Sequence, residues 1–493
     1  MTLEELYNIV KDHAEACGCI SDLSDNKCNT IIRKNLSKDS FDKHQAYFGF
    51  IRPNEEHSGP YHDFSLVLFV HENEPDYCIV SLGVGSDGFL KDTELASLPG
   101  LRRKIVELLP TNDEGVFLKN SFLDIDSSIP EDSVQYIKDT CDDLDVVFNT
   151  YSKVIPAYQI VNFNTDEGIV RIKAWIAQYA KIRSWYKRNK TSFRQQSRFE
   201  DTIEKSLDDN AVLNISEEEP EEIKIKNLLQ ERKYIILQGA PGVGKTHVAL
   251  KLAHEDQYKV HFTQFHAETT YADFIYGITP NLSSEGKVLY KPTYGEFYLA
   301  VKDAIENPKQ KVLLIIDEIN RANLANVLGE VFYLFEFNRN ERTDVAEKDK
   351  ITLSLGEDLK ISDLPSNLYV IGTMNTADRS LAVVDFALRR RFAWYTIKPH
   401  VIADKEMKPG NKFYSKEFKE FKDRFDLYAN DEELDLQPGQ GYFIARSQEE
   451  MNRRIEYELM PLMKEYLSEG KLYNAKDSFS NLFYRLIKKN MYQ

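Results

Sequence analysis

Several features that would place this chain of 493 residues in a special class are missing. It has no apolar run near the roughly 18 residues that a membrane helix needs, so we expect no membrane association. The N-terminus shows no basic stretch followed by an apolar one, which argues against a signal peptide. Internal repeats and low-complexity tracts are also lacking. These absences predict a globular cytoplasmic protein.

The chain lacks any excess of positive charge and has few cysteines. Its formal net charge is −16, which argues against nonspecific coating of nucleic acid but not against a local basic site. The five cysteines are an odd number, which fits a reducing compartment. Cys17, Cys19 and Cys28, with His13 one turn before Cys17, are a candidate zinc set. Their C-x-C…C spacing matches no common zinc finger, so ordinary free thiols are the favoured interpretation.

Enough apolar material is present to build more than one core. Hydrophobic residues make up 42% and aromatic residues 12% of the chain, and its length predicts two or three domains. In residues 1–190, two β-branched and aromatic runs at 64–70 and 77–84 predict adjacent strands. Residues 99–109 and 169–190 show helical spacing of apolar positions. We therefore expect an N-terminal α/β domain over 1–190, followed by a polar linker over 191–222.

The strongest local signal begins at Tyr234. A buried strand over 234–237 is followed by a match to G-x-x-x-x-G-K-[ST] and then by a helix. The loop residues are Gly239, Ala240, Pro241, Gly242, Val243, Gly244, Lys245 and Thr246. Its backbone N–H groups cradle phosphate oxygens, Lys245 adds a positive charge, and the Thr246 hydroxyl is a ligand for Mg²⁺. A chance glycine-rich turn would not carry this strand and helix on either side.

A second apolar strand supplies the acidic partner of this loop. Residues 312–316 are uniformly apolar, as in a buried parallel strand, and end in Asp317 and Glu318. Asp317 is the predicted second Mg²⁺ residue, and Glu318 is placed to polarise an attacking water. An acidic pair at a strand end is often no more than a solvated turn. Its position downstream of a phosphate loop favours the catalytic interpretation.

Polar residues also end a third strand, over 367–375. Asn375 at its tip is a candidate to orient the lytic water. The helix after it ends in Arg389, Arg390 and Arg391, and basic residues there commonly complement the helix dipole. In a ring-shaped NTPase, such an arginine also reaches the neighbour's site and stabilises the transition state. We favour at least one such arginine among the three.

Together these residues resemble the McrB family of AAA+ GTPases, the motor subunits of modification-dependent restriction systems. The resemblance rests on Gly239–Thr246, IIDEINRAN at 315–323 and MNTADRS at 374–380 followed by DFALRRRF. Segments 262–281 and 455–467 add to it. It implies an α/β AAA+ module, with a parallel sheet and flanking helices over 223–400 and a C-terminal helical lid over 401–493. Asn375 to Asp378 also resembles the guanine box of small GTPases, an interpretation that the position of Asn375 beside Glu318 disfavours.

The resemblance further implies GTP as substrate, with ATP as the alternative, Mg²⁺, and a ring that is a hexamer. It implies a separately encoded McrC-like nuclease subunit as partner. No nuclease constellation is evident in this chain, so we expect it to have no nuclease activity of its own. By position in the family, residues 1–190 would read DNA, with modified cytosine as the expected target. An ATP-dependent AAA+ protein-remodelling chaperone is the alternative function, and the acidic N-terminal half fits it.

The basic helix over 169–190 offers candidate DNA contacts. Its phosphate-binding candidates are Arg171, Lys173, Lys181, Arg183, Lys187, Arg188 and Lys190, interleaved with Trp175, Trp185 and Tyr186. The competing interpretation is a helix that packs an apolar stripe, including Trp175 and Tyr179, against its own domain. Trp185 and Tyr186 near the helix end are less well explained by such packing.

Overall fold

The computed structural model describes most of the chain as two compact units. The described residues are 1–20, 31–51, 62–72, 76–110, 115–141, 144–186, 192–214, 219–282, 288–335, 351–356, 358–377, 386–403 and 407–492. One unit comprises Met1–Glu218 with Asp426–Tyr428, and the other Glu219–Phe425 with Ala429–Gln493. The division at 218/219 falls within the range predicted as a linker. In these described ranges, no helix is long and apolar enough to cross a bilayer.

The first unit is built on an antiparallel sheet. Its strands are β1 (Ile31–Asn35), β2 (Tyr47–Ile51), β3 (Phe64–Val70), β4 (Tyr77–Val84), β5 (Val116–Leu118) and β6 (Ala157–Asn162). They lie in the order β1-β2-β3-β4-β6-β5, and every neighbouring pair is antiparallel. The predicted pairing of 64–70 with 77–84 is confirmed, with Phe64 opposite Val84.

Helices cover both faces of this sheet. They are α1 (Leu3–Ala16), α2 (Lys38–Asp42), α3 (Thr93–Ala96), α4 (Leu101–Val106), α5 (Glu131–Cys141), α6 (Asp145–Thr150), α7 (Asp166–Ile182) and α8 (Phe193–Asn214). Alternate residues of β3 divide between two cores: Leu66 and Leu68 pack with α1 and α7, whereas Phe69 packs with α5 and α6. This period of two is the pattern of a strand buried on both faces.

The segment predicted as a polar linker contains α8, a helix of 22 residues. Its buried positions Ile203, Ser206 and Asn210 recur at intervals of three and four residues, and Asn210 donates to the Leu108 carbonyl at 3.1 Å. One narrow row of buried residues therefore attaches this helix to the unit, and its other described side chains are exposed or half-buried. The range predicted as a polar linker, 191–222, thus includes a regular helix, in which few residues of that row are apolar.

The tryptophans among the predicted DNA contacts of the basic helix are buried. Trp185 is fully buried, with its ring 5.4 Å from Phe50 and 5.6 Å from Tyr179. Trp175 is also buried, and its indole N–H donates to Gln159. Both tryptophans are therefore core, and Tyr186 is partly buried against the same core. Packing explains Trp185 fully, contrary to the expectation that packing explains it less well.

Its cations are also engaged within the unit. Arg183 is paired with Asp92 at 2.7 Å, and both side chains are about one-tenth exposed. Arg171 is buried against Glu167, and Lys181 is paired with Glu204. Lys173 is half-buried, whereas Lys187, Arg188 and Lys190 lie outside the described residues. Because the two arginines neutralise carboxylates of the same unit, they are disfavoured as phosphate contacts.

The candidate zinc residues are only partly described. Cys17 and Cys19 are buried, whereas Cys28 lies outside the described residues. Burial raises the pKa of Cys17 to about 12 and lowers that of His13 to about 4. The Cys17 sulfur lies 3.6 Å from His13 Nε2, where α1 meets α8. This environment favours the uncharged thiol and the neutral imidazole.

The second unit contains a parallel sheet of five strands. These are β7 (Tyr234–Gly239), β8 (Lys259–Gln264), β11 (Val312–Asp317), β14 (Leu368–Asn375) and β15 (Ala393–Thr396). They lie in the order β15-β7-β14-β11-β8, all parallel, as the sequence predicts. The strands β7, β14 and β11 are therefore neighbours, and their carboxyl ends meet at one edge of the sheet.

Flanking helices bury both faces of this sheet. They are α9 (Glu221–Arg232), α10 (Lys245–Glu255), α11 (Tyr271–Phe274), α12 (Glu296–Glu306), α13 (Leu324–Leu328) and α14 (Phe386–Arg391). Ile236, Leu314 and Ile316 face a core with α12, whereas their strand neighbours face a core with α9 and α10. Because both faces are covered at the centre of the sheet, β11 is apolar and buried from Val312 to Ile316, whereas the edge strand β8 is more polar and more exposed.

Smaller elements complete the unit. Three short antiparallel pairs are formed by β9 (Tyr276–Leu282) with β10 (Val288–Tyr294), β12 (Leu353–Leu355) with β13 (Leu359–Ile361), and β16 (Lys412–Phe413) with β17 (Ile444–Ala445). The predicted helical lid contains α15 (Ser415–Tyr428), α16 (Gln448–Arg454), α17 (Met460–Ser468) and α18 (Lys476–Ile487). Phe421 is central to its core, in ring contact with Phe443, Phe479 and Phe483.

Candidate nucleotide-binding site

The phosphate loop runs from the end of β7 into α10 as predicted. Gly242 and Gly244 have φ angles of +81° and +86°, conformations that side chains with a Cβ adopt at a cost. Gly244 caps α10, which begins at Lys245. The loop therefore delivers backbone N–H groups to the N-terminus of a helix, where an anion is stabilised.

Lys245 is buried within this loop rather than extended into solvent. Its ammonium donates to the Gly239 and Ala240 carbonyls at 3.0 Å each, and to Asn375 Oδ1 at 2.6 Å. The side chain is 7% exposed. The P-loop cation and the predicted water-orienting residue, 130 positions apart in the sequence, are thus in direct contact.

Thr246 and Asp317 form the candidate metal site. The Thr246 hydroxyl donates to Asp317 Oδ1 at 2.6 Å. A hydroxyl and a carboxylate are the hard oxygen donors that Mg²⁺ prefers, so the residues present fit this ion. Two residues that the sequence analysis did not identify position the carboxylate: Thr373 donates to Oδ1 at 2.7 Å and Gln264 to Oδ2 at 3.2 Å.

Glu318 lies next to this pair in an unusual backbone conformation. Its φ is +53°, in the left-handed region, and its N–H donates to the Thr373 hydroxyl at 3.1 Å. Asn375 Nδ2 donates to Glu318 Oε1 at 2.6 Å, and Arg321 Nε to Oε2 at 3.1 Å. Strained backbone at a site is a common sign of a functional constraint. Both oxygens of the predicted water-activating carboxylate therefore accept hydrogen bonds here.

Some of these additional residues carry a recognisable signal. Thr373 is a polar residue in an otherwise apolar strand, two positions before Asn375, and so lies on the same face of β14. Gln264 ends β8, which neighbours β11, so it was identifiable once the strand order was known. Arg321 had no comparable signal in the sequence.

The three predicted arginines end α14. Arg389 and Arg390 are exposed, and Arg391 is half-buried. The Arg389 guanidinium lies 5.3 Å from the centre of the Trp394 ring, and that of Arg391 lies 4.2 Å from Phe332. The neighbouring Asp378 lies outside the described residues.

A lid segment that the sequence analysis did not single out lies against the phosphate loop. Gly439 N–H donates to the Pro241 carbonyl at 2.9 Å, and Gly441 N–H to the Gly242 carbonyl at 2.8 Å. Gln440 Nε2 donates to the Val243 carbonyl at 2.8 Å. The approach is so close that a Cβ on Gly439 would lie 2.2 Å from the Gly242 carbonyl carbon. The conformation of the loop and the position of this segment are therefore coupled.

The fold and this site together define an AAA+ nucleotide-binding domain. Residues 234–392 match the family described as AAA domain (dynein-related subfamily). Over 174 residues the chain is 46% identical to the Type IV methyl-directed restriction enzyme EcoKMcrB subunit of Escherichia coli K12, covering 34% of this chain and 36% of that protein. These matches confirm the resemblance of this part of the chain to the McrB family of AAA+ proteins. An AAA+ NTPase domain indicates nucleotide hydrolysis.

A second restriction protein is similar to this chain over a segment of comparable length. The Type II restriction enzyme BsuMI component YdiS of Bacillus subtilis 168 is 28% identical over 195 residues, or 32% of this chain and 55% of that protein. The matches thus span about a third and about half of the two relatives. Among solved structures, a putative ATPase from Cytophaga hutchinsonii shares 18% identity with a TM-score of 0.24 over 37% of this chain and 46% of that one. The RuvB Holliday junction branch migration motor of Thermotoga maritima shares 18% with a TM-score of 0.21 over 36% and 44%. Scores this low carry no structural argument.

Proposed function

We propose that this chain is the GTP-hydrolysing AAA+ motor subunit of a modification-dependent restriction complex. In this proposal residues 1–190 recognise DNA carrying modified cytosine, and the motor, a hexameric ring, drives a separate McrC-like nuclease subunit. The observation that carries it is the joined cluster of Lys245, Thr246, Asp317, Glu318 and Asn375, in a segment 46% identical to an McrB subunit.

Each residue of the cluster has a distinct part in the proposed hydrolysis. The loop N–H groups and Lys245 bind the phosphates, and Thr246 and Asp317 hold Mg²⁺. The metal neutralises charge on the phosphate oxygens. Glu318 accepts a hydrogen bond from the attacking water and polarises it. Asn375, already in contact with both Lys245 and Glu318, orients that carboxylate toward the γ-phosphate side.

Glu318 already accepts two hydrogen bonds, one from Asn375 and one from Arg321. A carboxylate has about four acceptor sites, so the attacking water binds Glu318 beside these two donors. Arg321 is 43% exposed, and an exposed pair of this kind is worth little energetically.

The proposal that residues 1–190 recognise DNA rests on two points. These residues precede the motor in the sequence, and the motor segment is similar to a subunit of a methyl-directed restriction enzyme. The arginines and tryptophans in the described part of the basic helix are buried or paired within their unit, so the proposal does not use them as DNA contacts. A pocket that stacks one base and reads its edge needs little net positive charge, which fits an acidic chain.

The test titrates the full chain with duplexes that differ only in cytosine modification, at two salt concentrations. We expect tighter binding to the modified duplex and a preference that persists at the higher salt, since base contacts release few counterions. Arg183→Ala is unsuitable for testing DNA contacts, because this substitution removes the buried ion pair with Asp92 and would destabilise the unit. Binding that ignores modification and vanishes with salt would contradict a base reader. No DNA binding, with hydrolysis intact, would favour the protein-remodelling alternative.

A further inference from the structure

The sheet order distinguishes two sides of the phosphate loop. On one side of β7 lie β14 and β11, whose tips carry Asn375, Asp317 and Glu318. Metal and water residues mark the γ-phosphate end of a bound nucleotide. On the other side of β7 lies β15. The nucleoside must therefore extend from the loop toward the β15 side.

Three polar residues form a continuous path on that side. Gln440 starts at the loop, where its Nε2 donates to the Val243 carbonyl, and its Oε1 accepts from His400 N–H at 3.4 Å. His400 follows β15, and its Nδ1 lies 4.0 Å from a carboxylate oxygen of Glu221. Glu221 is the first residue of α9, just before the loop strand. The path thus joins the lid, the segment after β15 and the helix before β7.

Glu221 differs from the carboxylate next to it. Glu222 accepts from Lys251 at 2.6 and 2.7 Å, an ordinary surface ion pair. The Glu221 side chain is 31% exposed, has the His400 imidazole at 4.0 Å rather than a lysine as its ion-pair partner, and accepts one hydrogen bond from the Lys398 backbone. Partial burial raises the pKa of Glu221, while His400 and the Lys398 backbone oppose that rise. A half-buried carboxylate with accepting capacity to spare is suited to hydrogen-bond donors of a ligand.

A second observation in the same lid segment also points to a bound ligand. Gln437 is 5% exposed, and within the described part of the chain its Nε2 has no hydrogen-bond acceptor. It lies two residues before Gly439, which contacts the phosphate loop. A buried amide without an acceptor is costly unless a bound group satisfies it.

Guanine and adenine differ in what they would present to Glu221. Guanine offers two adjacent donors, N1–H and the N2 amino group, whereas adenine offers a lone pair at N1. A carboxylate accepts both guanine donors and repels the adenine lone pair. Sites built on such hydrogen bonds reject the analogue that lacks them strongly.

We propose that Glu221 is the specificity-determining residue of this nucleotide site. Its carboxylate accepts hydrogen bonds from guanine N1–H and N2–H. Gln440 and His400 connect Glu221 to the phosphate loop and line this side of the site. The proposal deepens the proposed function and rests on its preference for GTP. It identifies the chemistry that selects guanine in this chain.

The test compares kcat/KM for GTP, ITP, XTP and ATP between the full wild-type chain and Glu221→Gln. The variant should lose at least about 10-fold toward GTP, the discrimination typical of one bidentate base contact. ATP should improve, because the amide no longer repels adenine N1 and can donate to it, and XTP should improve, because an amide donates to the 2-oxo group of xanthine. ITP lacks the 2-amino group, so wild type should use it less well than GTP.

Glu222→Gln is the matched control, one position along the same helix, and should keep the wild-type ratio of GTP to ATP. A wild type that prefers GTP, with an unchanged ratio in Glu221→Gln, would overturn this proposal and leave the proposed function standing. A wild type that prefers ATP would overturn both. If Glu221→Gln does not fold, equal use of GTP and ITP by wild type would overturn the assignment, and a clear preference for GTP would support it.

Discussion

A single side-chain amide connects the two halves of the proposed chemistry. Asn375 accepts from Lys245 through Oδ1 and donates to Glu318 through Nδ2, both at 2.6 Å. The amide orientation follows from its partners, because a lysine only donates and a carboxylate only accepts. In the proposed chemistry, one side chain therefore joins the phosphate-binding lysine to the water-activating carboxylate.

Substitutions at these positions should separate binding from hydrolysis. Lys245→Ala should weaken nucleotide binding by about 100-fold or more, since it removes charged hydrogen bonds at the phosphates. Glu318→Gln should retain affinity within about 3-fold and lower kcat by about 100-fold, because water activation alone is lost. Binding of a fluorescent nucleotide and steady-state turnover measure the two effects. Lys251→Ala, on the same helix α10 but paired with Glu222, is the control, and equal affinity of wild type and Lys245→Ala would refute the site.

At the scale of elements, the contact between the lid segment and the phosphate loop requires glycine at 439. A Cβ there would meet the Gly242 carbonyl carbon and the Val243 nitrogen, both at 2.2 Å, and these are backbone atoms that cannot turn aside. Gly439→Ala should therefore shift the loop and weaken nucleotide binding by about 10-fold or more, an effect of roughly 1.4 kcal/mol. Nucleotide titration, together with thermal unfolding, measures it.

The control for this substitution is Gly470→Ala, also in the lid region. Gly470 has a φ of +76° and no atom within 4 Å of an added Cβ. Its substitution should cost about 1–2 kcal/mol of stability through backbone strain and leave nucleotide affinity unchanged. Equal affinities of Gly439→Ala and wild type would show that the contact does not constrain the loop.

The elements that could be predicted are those whose signals are local. The strand, glycine loop and helix around Lys245 are encoded in consecutive residues, and the apolar strand before Asp317 needs no knowledge of its neighbours. Trp185 was mispredicted because the rings that bury it, Phe50 and Tyr179, come from other elements. The approach of Gly439 to Gly242 was likewise invisible, because nearly two hundred residues separate them. Contacts distant in sequence follow from topology rather than from a motif.

At the scale of the whole molecule, an active site shared between copies is the proposed consequence of α14. Arg390 is exposed, whereas the guanidinium groups of Arg389 and Arg391 lie over aromatic rings of their own unit. Arg390 is therefore the arginine that we expect to reach a neighbouring site and stabilise the transition state. Hydrolysis per subunit should then rise with protein concentration as rings form.

Arg390→Ala should lower turnover by about 10-fold or more with little change in nucleotide affinity. Arg389→Ala and Arg391→Ala are matched controls that lose a ring contact instead. Light scattering with and without nucleotide follows assembly beside the rate. Full turnover by a dilute monomer would rule out an arginine acting between subunits.

The most direct test of the central claim is the competition of GTP and ATP for hydrolysis by the purified chain. The cluster of Lys245, Thr246, Asp317, Glu318 and Asn375 accounts for hydrolysis, and the proposed carboxylate at Glu221 accounts for the choice of base. The account predicts Mg²⁺-dependent hydrolysis with kcat/KM at least about 10-fold higher for GTP than for ATP. It also predicts that Glu318→Gln lowers this activity by about 100-fold. Hydrolysis of ATP in preference to GTP would contradict the proposed GTPase motor, and undiminished hydrolysis by Glu318→Gln would contradict the assignment of the site.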